Sequence, residues 1–138
     1  MTGTDGRSIE IAGRDVPIGS FERVTRTIGF ECTSGRWIEH EWTGIPIDRL
    51  LAAAAGPAEA THIVVEAADG HTACIDLPSA LEGLLAVERD GQRLDGPRFV
   101  SPRITGPRAV SEVARIDPVA LAADERPTDR ESMDLVPD

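Results

Sequence analysis

Turn-forming residues cut this chain into short pieces, and that punctuation limits the fold more than any other feature of the sequence. Gly13 and Pro17, Ser34-Gly35, Gly56-Pro57, Asp69-Gly70, Asp90-Gly91 and the Pro- and Gly-bearing stretch 101–108 each interrupt a hydrophobic pattern soon after it starts. Between the breaks the pattern is mostly that of strands. Residues 8–12 alternate with Ile9 and Ile11 on one face, as a short edge strand does. Residues 25–32 set Ile28, Phe30 and Cys32 against Thr27, Gly29 and Glu31, which turns Cys32 inward at a strand end, just where Thr33-Ser34-Gly35 opens a loop. Residues 61–66 and 71–76 read as two strands about the Asp69-Gly70 turn, Asp90-Gly91 closes a tight hairpin, and 97–100 and 109–117 are further strands.

Two segments carry a helical period instead. Pro46 suits a first helical position and Asp48 the positive end of a helix dipole, and Ile47, Leu50, Leu51 and Ala54 recur on one side until Gly56-Pro57. A second helix is expected from Pro78 to about Leu85, and residues 19–24 suit a helical turn. Many short strands with interspersed short helices predict an α+β domain on mixed or antiparallel sheet, and argue against a doubly wound fold.

A chain of 138 residues encloses one core. The folded domain is expected over 8–118, with 1–7 and 126–138 as flexible acidic tails, since both ends are short of core-forming residues. Only 4% of residues are aromatic and Tyr is absent, so packing rests on Ile, Leu, Val and Ala. The formal charge is -10, and all 14 basic residues are Arg. Such an excess of carboxylates repels nucleic acid and anionic lipid, and it suits a salt-rich, halophilic cytoplasm where ions screen self-repulsion. A GC-rich genome would also favour Arg over Lys. The polar N-terminus argues against a secretory signal, and no apolar run is long enough to span a membrane. Two cysteines make neither a disulfide framework nor a metal cluster, which fits thiols in a reducing cytoplasm.

Chemistry concentrates around Cys32, followed by Arg36, Trp37, His40 and Trp42. A thiolate is a good ligand for a soft metal, and a nearby guanidinium favours its formation; a lone inward cysteine is otherwise a small hydrophobe. His40, between two glutamates, suits a proton relay or, more ordinarily, a solvent-facing position. Trp37 and Trp42 read as core plugs, and Cys74 as structural.

Phe30-Glu31-Cys32-Thr33-Ser34-Gly35-Arg36-Trp37, followed by Trp42-Thr43-Gly44-Ile45-Pro46-Ile47-Asp48-Arg49-Leu50-Leu51, resembles the molybdopterin-binding domain of sulfite-oxidase-like oxidoreductases. There a cysteine ends a strand, and a Trp-x-Gly-Val-Pro-Leu-x-x-Leu-Leu helix opening follows. Residues 64–71, Asp76-Leu77-Pro78, Gln92-Arg93-Leu94 and Gly96-Pro97-Arg98-Phe99-Val100 continue the likeness, so that it spans about 8–118. The resemblance implies Cys32 as the thiolate on molybdenum of a molybdopterin cofactor, in oxygen-atom transfer to or from a small anionic or oxo substrate. It also implies cofactor contacts from Ser34, Arg98, Gly106 and Arg108, and a protein partner or redox subunit.

The family loop Pro-Gly-x-x-Gly-x-Lys-x-x-Lys-Trp here reads Pro102-Arg103-Ile104-Thr105-Gly106-Pro107-Arg108-Ala109-Val110-Ser111-Glu112. Arg108 stands for the first lysine, while Arg103, Ser111 and Glu112 replace a glycine, a lysine and a tryptophan. About thirty residues precede Cys32, where family members carry a longer cofactor-contacting segment. These departures support the alternative expectation of a cofactor-free relative acting as a binding or accessory module. Thiol chemistry without metal is a third option, weakened by the lack of a Cys-x-x-Cys or Cys-His-Asn arrangement.

Overall fold

The computed structural model describes residues 8–31, 34–54, 59–104 and 108–121. Cys32, Gly106, the Gly56-Pro57 stop and both expected tails lie outside them. The described strands are β1 (Ser8–Ile11), β2 (Arg14–Pro17), β3 (Val24–Glu31), β4 (Trp37–Pro46), β5 (His62–Ala67), β6 (Thr72–Asp76), β7 (Leu84–Arg89), β8 (Gln92–Val100) and β9 (Val113–Val119). Two short helices, α1 (Ile47–Ala54) and α2 (Leu77–Leu81), lie between them in the chain. One sheet has the order β2-β1-β9-β5-β6 and the other β3-β4-β7-β8. Neighbours are antiparallel except β1 and β9, which run parallel. The expected α+β class with mixed sheet is what the chain adopts.

Both sheets contribute to one core. Phe30, Trp42, Leu85 and Phe99 enter it from β3, β4, β7 and β8, and Ile11, Ile63, Val65 and Ile116 from β1, β5 and β9. Helices α1 and α2 pack on each other, α1 against β4 and β1 and α2 against β5 and β6. The α2 start is fixed by Asp76, whose carboxylate accepts from the Ser79 amide at 3.1 Å and its hydroxyl at 2.9 Å. An oxygen there satisfies a donor that has no partner within the helix.

Four local expectations are corrected. The stretch 37–46 is one continuous strand of 10 residues, so Pro46 ends β4 rather than starting α1. Its period was obscured because its outward positions Trp37, Glu39 and Glu41 include a large aromatic, while its inward positions include Gly44. The second helix stops at Leu81, and Leu84 and Leu85 open β7. Four consecutive buried residues, Leu84 to Val87, suit a strand covered on both faces, and such a run has no strand period to read. The turn expected at 19–24 is a 3-10 turn at Ile18–Ser20, after which Val24 begins β3. The last strand is β9 at Val113–Val119, shifted from 109–117; Ala109 and Val110 are buried ahead of it, where the Val110 carbonyl accepts from the Phe99 amide at 3.0 Å.

Candidate functional site

On the inner face of β3 and β4 one expected contact, Arg98, meets two buried aromatic side chains. Strand alternation buries Phe30, two residues before Cys32, and Trp42, whose indole N–H donates to the Ile28 carbonyl at 3.2 Å. Their ring centroids are 6.4 Å apart. Arg98 on β8 reaches over both, its guanidinium carbon 5.8 Å from the Phe30 ring and 5.7 Å from the Trp42 ring. Its Nε–H donates to the Ala109 carbonyl at 3.0 Å. Arg98 therefore ties the segment entering β9 to the β3–β4 hairpin, through a charge-assisted hydrogen bond and contact with two aromatic faces.

The other expected contacts are dispersed. Ser34 is exposed in the turn of the β3–β4 hairpin, and Arg108 is half-buried beside Ala109. Ser101, fully buried, donates to the Ser79 carbonyl at 2.8 Å and accepts from the Arg103 amide at 3.2 Å, pinning the start of the loop that continues to Arg108. Arg103 projects outward to Glu82, Nε to Oε2 at 2.8 Å. Glu112 adopts a left-handed backbone, φ 51°, held by a hydrogen bond from the Ala68 amide to its carbonyl at 3.0 Å. It lies on Gly96, where a Cβ would come within 2.9 Å of its side chain. A cleft of about 310 Å³ opens beside it, and the ionisable side chains in its lining are Asp95 and Glu112.

Two aromatic expectations separate. Trp42 is the core plug it was taken for, whereas Trp37 is 61% exposed on the outer face of β4. His40 is half-exposed and held: its Nδ1 is 2.7 Å from Asp90 Oδ2, and its ring meets Trp42 edge-on at 5.7 Å. Asp90 also accepts the Glu41 amide at 2.9 Å. That backbone donor first, and the His40 hydrogen bond second, hold the Asp90 carboxyl below its ordinary value of 3.8. The sequence marks Asp90 only as a turn residue; nothing local indicates its reach to a strand 49 residues earlier. Cys74 is buried in β6, as a structural cysteine is.

Pterin phosphate is an anion that needs cationic donors directed at it. Arg98 and Arg103 fit that need poorly, because the Arg98 cation lies over two rings and bonds a backbone carbonyl of its own domain, and Arg103 is paired with Glu82. No group of three or more His, Cys, Asp or Glu gathers to hold a metal among the described residues. A centre anchored by a single thiolate would need no such group, so this leaves Cys32 untouched as a candidate.

Over residues 16–121 the chain matches a family described as the oxidoreductase molybdopterin binding domain. Nothing among curated proteins matches significantly. The crystal structure of the sulfane dehydrogenase SoxCD from Paracoccus pantotrophus is similar, with a TM-score of 0.73 and 21% identity over 91% of this chain. That likeness is one of fold, and it takes in 41% of the other chain.

Proposed function

The chain belongs to the oxidoreductase molybdopterin binding domain family, and we propose that within it this protein is a cofactor-free relative, a binding or accessory module for another protein. The observation that carries this reading is Arg98. As a phosphate contact its guanidinium would face a ligand; instead it buttresses the core face of β3 and β4 and holds Ala109. Arg103 and Glu112 support the same reading, the one committed to Glu82 and the other placing a carboxylate beside the cleft. The domain spans 8–118 and works in a salt-rich cytoplasm, a setting that its charge of -10 favours and in which nucleic acid and anionic membranes are poor partners. No described helix is long and apolar enough to cross a membrane.

A second reading rests on Cys32 itself, which in the sequence follows the last residue of β3 and comes two residues after Phe30. In that reading Cys32 is the molybdenum ligand and Ser34, Arg98, Gly106 and Arg108 hold the pterin. The cofactor would supply two-electron oxygen-atom transfer with a small anionic or oxo substrate, and a redox subunit would be its partner. Production in a host that makes the cofactor, followed by metal and pterin analysis, separates the two. The accessory module carries well under about one molybdenum per ten chains, and Cys32→Ser changes nothing, since no metal affinity is coupled to its thiolate. Stoichiometric molybdenum that disappears in Cys32→Ser would establish the second reading and overturn the first.

A further inference from the structure

We infer that the outer face of β3 and β4, together with the free edge of β3, binds an extended Arg- or Lys-bearing segment of a partner protein. This rests on the accessory-module reading and names the surface and the partner chemistry. The order β3-β4-β7-β8 leaves β3, eight residues long, paired on one side only among the described strands. Such an edge offers backbone donors and acceptors to another strand unless the protein blocks it.

What flanks this edge selects the partner. Antiparallel register sets Glu31 opposite Trp37, Gly29 opposite Glu39, Thr27 opposite Glu41 and Thr25 opposite Thr43, all on the outward face. Three carboxylates thus share that face with an indole that is 61% exposed. The Trp37 ring covers Gly29, where a Cβ would lie within 2.5 Å of it, and its N–H donates to Glu39 at 3.3 Å. Because Gly29 has no side chain, nothing on β3 at that position stands between an added strand and the pair of Trp37 and Glu39. A guanidinium arriving along the edge meets an aromatic face and carboxylates together, the two groups that attract it most. Of the basic residues on these strands and in the described part of their connection, Arg26 pairs with Trp42 on the opposite face and Arg36 sits in the turn. An acidic segment would be repelled, so charge decides for a basic one.

The experiment uses the full chain at low ionic strength and an octapeptide alternating Thr and Arg. Trp37 and Trp42 are the two tryptophans, and only Trp37 is exposed, so its emission reports on this face. The Thr-Arg peptide shifts the emission saturably, the shift disappears in Trp37→Phe, and a Thr-Glu peptide has no effect. The double variant Glu39→Gln/Glu41→Gln binds at least about tenfold more weakly, as loss of complementary charge requires. The same peptide methylated on the amides that would face β3 is weakened by at least about tenfold, because strand addition needs those donors. No binding by the Thr-Arg peptide, undiminished binding by the Gln variant, or equal binding by the methylated peptide overturns the inference. An empty protein that ignores the peptide sinks this surface and leaves the accessory reading standing; stoichiometric molybdenum overturns that reading whatever the peptide does.

Discussion

Gly44 shows how much a single missing side chain decides in this sheet. A Cβ there would strike the Leu85 carbonyl and come within 2.6 Å of the Ala86 Cα, both backbone atoms that cannot swing aside. The β4–β7 register shifts at this point, between Thr43 and Gly44, and β7 approaches closely because nothing projects from Gly44. Gly44→Ala is expected to cost about 1–3 kcal/mol or more, as overpacking against fixed backbone does. Urea unfolding measures it, and an unchanged midpoint would contradict the close approach. Arg98 teaches a different lesson at the same scale. By resemblance its identity suggests an anion contact; its bond to Ala109 and its position over Phe30 and Trp42 are contacts that no spacing in the sequence indicates.

At the scale of elements, the hairpin of β7 and β8 is the one most legible in the sequence. Asp90 and Gly91 have φ of 51° and 82°, the doubly left-handed turn that an Asp-Gly pair favours. The tip does more than reverse the chain. The Asp90 amide donates to the Glu41 carbonyl at 2.7 Å while its carboxylate accepts from the Glu41 amide and His40, hooking the turn onto β4. Since the folded-state pKa of Asp90 is depressed, its stabilisation is present above the ordinary carboxylate value of 3.8 and is lost as pH falls through the lower folded value. Asp90→Asn, which keeps an acceptor and removes the charge, is expected to be less stable than the parent at neutral pH. The gap should narrow as pH falls below 3.8 and close once the Asp90 carboxyl is protonated in the folded state as well. Thermal melts from neutral to acid pH test it, and a gap that does not narrow as pH falls below 3.8 would refute the linkage.

For the whole molecule the dominant fact is a formal charge of -10 on 138 residues. Self-repulsion among carboxylates opposes compaction, and salt shortens its range from about 10 Å at 0.1 M to about 3 Å at 1 M. The melting temperature is therefore expected to rise by several degrees between those salt concentrations, and calorimetry showing a fall would contradict the dominance of repulsion. The charge, the turn punctuation, the strand period of β3 and the helical period of α1 follow from the sequence alone, since each depends on residues near one another in the chain. So does the resemblance running from Cys32 to Leu51, which matches the family to which the chain belongs. Tertiary structure alone decided that β1 pairs with β9 across the length of the chain, that β4 takes β7 as its neighbour, and that Trp42 is buried while Trp37 is exposed. It also decided that Arg98 turns onto the aromatic pair. Local periodicity reports which face a residue occupies, but burial and pairing arise from contacts between segments far apart in sequence, and no pattern along the chain encodes which distant segment will supply them.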